Sequence, residues 1–140
     1  MMINAIEIAK YMISKCCQDG IPISNLQLQK ILFFIQKDRL KKTGWYIKEE
    51  FEAWPYGPVI PQLYNMFCSY GAMPIDREYD SVLDENIKLD INEIIERLRV
   101  MDPWSLVEKT HSSGGAWDQI FNNGSGYKKT IPKNLIRERG

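Results

Sequence analysis

The chain has no long apolar run. Nothing in it approaches the ~20 consecutive apolar residues that a membrane-spanning helix needs. Its start, Met1-Met2-Ile3-Asn4-Ala5-Ile6-Glu7, has no basic segment leading into an apolar stretch, so a cytoplasmic location is the expectation. Histidine occurs once, as His111, and cysteine three times, as Cys16, Cys17 and Cys68. Adjacent cysteines pair poorly with each other and do not form two arms of a zinc clamp, and these spacings match no zinc pattern. Buried thiols in a reducing compartment are expected, with no metal and no cofactor. A net charge is also missing, since 18 basic residues balance 18 acidic ones. That balance disfavours nucleic acid, whose binders usually carry a basic excess, and also a membrane surface.

What is present suits an ordinary globular domain. The chain has 140 residues, 44% of them hydrophobic and 26% charged, and this length can bury a real core. No repeat, low-complexity tract or linker divides it, so residues 1–140 read as a single domain. Ala5, Ile8, Ala9, Met12, Ile13 and Cys16 follow helical spacing and end at Gly20 and Pro22. Ser24 with Gln27 forms a capping box opening a second helix to about Leu40. Its first half is apolar on most sides, which predicts a central helix.

Trp45-Tyr46-Ile47 and Phe51, Ala53 and Trp54 read as a small hairpin or a pair of short strands. Pro55, Gly57 and Pro58 are expected to stop any strand, and Pro61 suits the first turn of a third helix running to Gly71. Asp76 to Asp90 reads as an acidic loop, with a possible short strand near Ile87–Leu89. Asp90 with Glu93 is then the expected cap of a helix carrying Ile91, Ile94, Ile95, Leu98 and Met101. Asp102-Pro103 starts another helix to about Thr110, a short one spans Ala116–Phe121, and Pro132–Arg137 forms a last turn or short helix. The expected fold is mainly α, a compact bundle of about five to six helices with a small β-hairpin.

Three segments together are more specific than any element. They are Leu26-Gln27-Leu28-Gln29-Lys30-Ile31-Leu32-Phe33-Phe34, Phe51 to Tyr64 with its Ala53-Trp54-Pro55-Tyr56-Gly57-Pro58-Val59 run, and Trp104 to His111 followed by Trp117. This order and spacing resembles the SocA-like (Panacea) antitoxin domain, including GepA-like phage-associated proteins. The resemblance spans Ile6 to about Ile136. It implies a mainly helical, non-enzymatic module that neutralises a cognate toxin by direct contact, in at least one lineage also as a proteolytic adaptor. One departure is Gly115-Ala116 before Trp117, where the family often has Gly-Pro.

Two different uses suit the Phe51 to Tyr64 segment. Trp54 and Tyr56 could be core anchors, or one wall of a recognition groove stiffened by proline. The expected partner-binding residues are Trp54, Tyr56, Pro58, Tyr64, His111 and Trp117. His111 with Glu108 and Asp118 lacks a placed nucleophile and an oxyanion site, so a helix-end histidine packed beside Trp117 is favoured over catalysis. The basic cluster Lys37, Arg39, Lys41 and Lys42 reads as a solvated helix end. The main alternative to an antitoxin is a phage or mobile-element effector that inhibits a host enzyme or defence complex. A further alternative is a DNA-binding regulator.

Overall fold

The computed structural model describes all residues, Met1–Gly140. Seven α-helices and five short strands follow one another along the chain. They enclose one continuous cluster of 31 buried apolar residues. Helix α1 (Ala5–Gln18) buries the stripe Ala5, Ile8, Ala9, Met12, Ile13 and Cys16. Helix α2 (Asn25–Leu40) is the central element, packed by α1, by the later helices and by two strands. Its start is held by the expected capping box: Ser24 Oγ accepts from the Gln27 amide, and Gln27 Oε1 accepts from the Ser24 amide. Such a cap stabilises by about 1 kcal/mol.

Because neighbours surround α2, its polar side chains are buried as well. Each serves backbone that would otherwise be unpaired, which is the condition for burying polar groups cheaply. Gln29 Oε1 accepts from the Ile60 amide, and Gln36 bridges both backbone groups of Ile47. Lys30 donates to the Pro58 carbonyl at 2.9 Å. Arg39 donates to the Thr43 and Trp45 carbonyls and lies 4.8 Å over the Trp45 ring. Arg39 is therefore buried and does not belong to a solvated helix end.

Strand β2 (Tyr46–Ile47) pairs in parallel with β1 (Met2–Ile3) at the N-terminus. It forms no hairpin with β3 (Phe51–Trp54). Instead β3 turns through Pro55-Tyr56 into β4 (Gly57–Val59) and pairs on its other edge with β5 (Thr130–Ile131). Pro58 thus lies within a strand, contrary to the expectation that it would stop one. An edge strand tolerates proline because one side needs no N–H. Phe51 and Ala53 face the core, and Glu52 and Trp54 share the outer face.

Helix α3 (Pro61–Phe67) starts on proline as expected and passes into a 3-10 turn, Cys68–Tyr70. Helix α4 (Glu85–Leu98) begins earlier than expected, capped by Asp84, which accepts from the Asn86 amide. Ile87–Leu89 is helical and not a strand, with Ile87 adding one turn to the buried stripe. Asp90 caps nothing: it accepts from the Trp45 indole and sits 3.7 Å from Arg39. Asp102 caps α5 (Pro103–Thr110) as expected, and α6 (Ala116–Phe121) and α7 (Lys133–Arg139) complete the fold. Of the thiols only Cys16 is buried. Cys17 is half-buried and Cys68 exposed, because Cys68 begins the 3-10 turn that follows α3.

Candidate functional site

The β3–β4 turn is held in place from below. Gly57 has φ +108°, and a Cβ there would come within 2.6 Å of Thr110 Oγ1 and 2.8 Å of Lys30 Cε. Only glycine fits, and the turn rests directly on α2 and α5. Pro55 sets its other half, so Trp54 and Tyr56 project from a rigid corner.

Beside that corner lies a groove of about 420 Å³. Its aromatic lining is Trp54, Tyr56, Tyr64, Trp104 and Tyr127, and its buried polar contributors are Asn25 and Gln29. The Trp54 and Tyr64 rings are 5.0 Å apart, and Tyr56 meets Trp104 edge-on at 5.2 Å. Tyr56 and Trp104 are more than half exposed, at 59% and 55%, so neither is a core anchor. Trp54 is half-buried, with its indole donating to Glu52 at 2.9 Å. Asn25 and Gln29 bond each other, and Asn25 donates to the Tyr64 carbonyl, fixing the floor. No charged side chain lines the groove. At its rim the Lys128 ammonium lies 5.8 Å over Trp54 and 5.3 Å over Tyr127. Lys128 has φ +68°, unusual for a residue with a Cβ. That backbone is tied to β3: the Lys128 amide donates to the Ala53 carbonyl, and the Ala53 amide to the Lys129 carbonyl.

The structure brings together Trp54, Tyr56 and Tyr64 from the expected site. It does not bring Pro58, His111 or Trp117 into the groove lining. Pro58 is buried in β4 and receives Lys30. Trp117 is buried, donates its indole N–H to the Trp54 carbonyl at 2.8 Å, and stacks on Phe121. His111 stacks flat on Trp117 at 3.7 Å, in the packing role expected for it. Its Nε2 is buried without a hydrogen-bond partner. Burial lowers its pKa, the Lys30 cation adds to that, and Asp118 opposes it. Burial also pushes Lys30 from 10.5 down to about 7. No three His, Cys, Asp or Glu side chains are placed together to hold a metal.

Trp104 and Tyr127 are the aromatic groove residues that sequence reasoning missed. Trp104 had a readable signal: it lies off the buried face of α5 formed by Leu106, Val107 and Thr110. Tyr127 had none, because its place depends on the pairing of β5 with β3.

The chain is thus a mainly helical domain with a rigid aromatic corner beside a groove. The family described as Antitoxin SocA-like, Panacea domain, matches residues 28–118, and the chain belongs to it. It is similar to Antitoxin SocA of Caulobacter vibrioides (strain NA1000 / CB15N), at 34% identity over 134 residues, 86% of this chain and 71% of that relative. No solved structure matches the chain. No helix is long and apolar enough to cross a membrane.

Proposed function

We propose that the chain is an antitoxin that neutralises a protein toxin by direct contact, through the aromatic groove and without chemistry of its own. The observation that supports this reading is the groove's lining of exposed and half-buried aromatic side chains, free of charge and fixed on rigid elements. Large, stiff aromatic groups give contact area at low entropic cost, and such residues dominate binding energy at interfaces. Lys128 has no carboxylate partner within 4.0 Å, so the favoured occupant is an apolar segment of the toxin flanked by an acidic residue. Family membership supports the antitoxin role.

The test is co-expression with the product of the neighbouring gene. A stable complex and restored growth are expected, and both are lost in Tyr56→Ala/Trp104→Ala. Rescue that survives this double substitution removes the groove from the reading, and an absence of any complex with adjacent gene products removes the antitoxin. A proteolytic adaptor role adds a shorter toxin half-life in the presence of this chain, measured by pulse–chase. The effector alternative predicts a target encoded elsewhere, and a DNA-binding regulator predicts a salt-sensitive shift of its own promoter.

A further inference from the structure

A second cleft lies at the C-terminal end of α2, lined by Lys37, Asp38 and Lys41 of α2 and its cap, Ile94 and Arg97 of α4, and Phe34 with Lys109. Its volume is about 270 Å³. These residues are far apart in the chain, so the sequence shows only separate basic helix ends. The fold makes them one group.

The charges in this cleft are not balanced. Arg97 pairs with Glu93, and Asp38, the one carboxylate of the lining, pairs with Lys42, which lies outside it. Lys37, Lys41 and Lys109 have no carboxylate within 4.0 Å. Lys37 is depressed first by burial and then by Lys41 and Lys109, with no acidic group opposing them. Cations in the last turn of a helix offset its dipole, which accounts for one on each helix. It does not account for three ammonium groups lining one cleft with none of them paired to a carboxylate, since like charges repel. The floor is the half-buried Phe34 ring, which Lys109 overlies at 5.9 Å.

We infer that this cleft binds a small phosphate-bearing anion, a di- or triphosphate chain, with Lys37, Lys41 and Lys109 donating to its oxygens. An ammonium donates up to three hydrogen bonds, and converging ones suit the several oxygens of a phosphate chain. The cleft holds a short chain of phosphates and not a macromolecular surface. Nothing in this inference depends on the aromatic groove. An inorganic polyphosphate and a nucleotide both supply such a chain, and Phe34 offers a ring face to a base.

The experiment is calorimetric titration of the full chain at low ionic strength with inorganic triphosphate, ATP and AMP. Three proteins are compared: the unsubstituted chain, Lys37→Gln/Lys109→Gln, and Lys129→Gln/Arg137→Gln, which removes the same charge at exposed positions elsewhere. Saturable binding of triphosphate and ATP, weakened about tenfold or more by the first pair and less than about twofold by the second, is expected. ATP binding more tightly than triphosphate identifies a nucleotide as the source, and equal affinity identifies the phosphate chain alone. No saturable binding of triphosphate or ATP overturns the inference. Equal weakening by both pairs also overturns it, because it shows only a response to net charge. So does binding confined to a single-stranded oligonucleotide added as a fourth probe.

Discussion

Replacing Lys30 by methionine tests the buried interior most directly. The Lys30 side chain is fully buried and its ammonium makes one hydrogen bond, to the Pro58 carbonyl. Burial lowers its pKa from 10.5 to about 7. An unfolded chain keeps the proton up to its ordinary pKa, and the folded chain releases it well below that. Between these values the unfolded state binds more protons, so stability must rise with pH. The penalty of burying the charge is absent above the unfolded pKa and complete below the folded one. Over the two pH units from about 7.5 to about 9.5 the gain integrates to about 2–3 kcal/mol.

Methionine preserves much of the side-chain volume but cannot titrate. It also leaves the Pro58 carbonyl without that donor, a cost of about 1–3 kcal/mol that does not vary with pH. The two effects therefore separate, one as an offset and the other as a slope. Urea denaturation of both proteins across this range is the assay. The difference between them isolates Lys30, because the other groups, including the raised Cys16 and Cys17 thiols, are common to both. Parallel stability curves would refute a neutral, buried Lys30 at alkaline pH. If Lys30→Met does not fold, Lys30→Gln keeps an N–H for Pro58 and permits the same comparison.

Other perturbations address the turn, the aromatic residues and the thiols. Gly57→Ala forces a Cβ against Thr110 and Lys30 at positive φ, so thermal denaturation should show a loss of more than about 1–3 kcal/mol. Trp117→Ala should destabilise by about 3–5 kcal/mol, since its ring is buried and stacked on both sides. Tyr56→Ala and Trp104→Ala are exposed and should each change stability by about 0.5 kcal/mol or less, while costing about 2 kcal/mol in toxin affinity measured by calorimetry. In the folded protein a thiol reagent should modify Cys68 quickly and Cys16 only on unfolding, as read by mass spectrometry.

The helices were legible where spacing and caps agreed. Ser24 with Gln27 and Asp102 with Pro103 each place a helix start from local chemistry. The start of α4 was hidden because Asp84 and Glu85 continue an acidic stretch, and Leu89, on the helix, is exposed. Strand pairing was less legible. Strands β1 and β5 are two residues each, and their partners lie 44 and about 80 positions away along the chain. A short strand carries no local signal for a distant partner. The buried polar residues of α2 were also unreadable as such. Gln29, Lys30, Gln36 and Arg39 look like surface residues until the strands and loops around them supply carbonyls and amides.

That pattern explains why the Ala53 to Val59 run resembles the family more clearly than it marks a binding face. Ala53, Gly57, Pro58 and Val59 are buried, and their constraints come from α2 and α5: the Gly57 turn has no room for a Cβ, and Pro58 offers its carbonyl to Lys30. Trp54 is split between these roles, with its carbonyl fixing Trp117 and its ring turned to the groove. Within the run, only Pro55 and Tyr56 are exposed. The tightly packed geometry beneath the turn does not depend on the exposed side chains around it. On the proposed reading, substitutions at Tyr56, Tyr64, Trp104 and Tyr127 alter which partner is recognised while Lys30, Gly57 and Trp117 keep the corner in place. Exchanging those exposed residues between two members of the family should transfer partner preference with little change in stability. If preference instead follows the buried residues, the groove is not what distinguishes one partner from another.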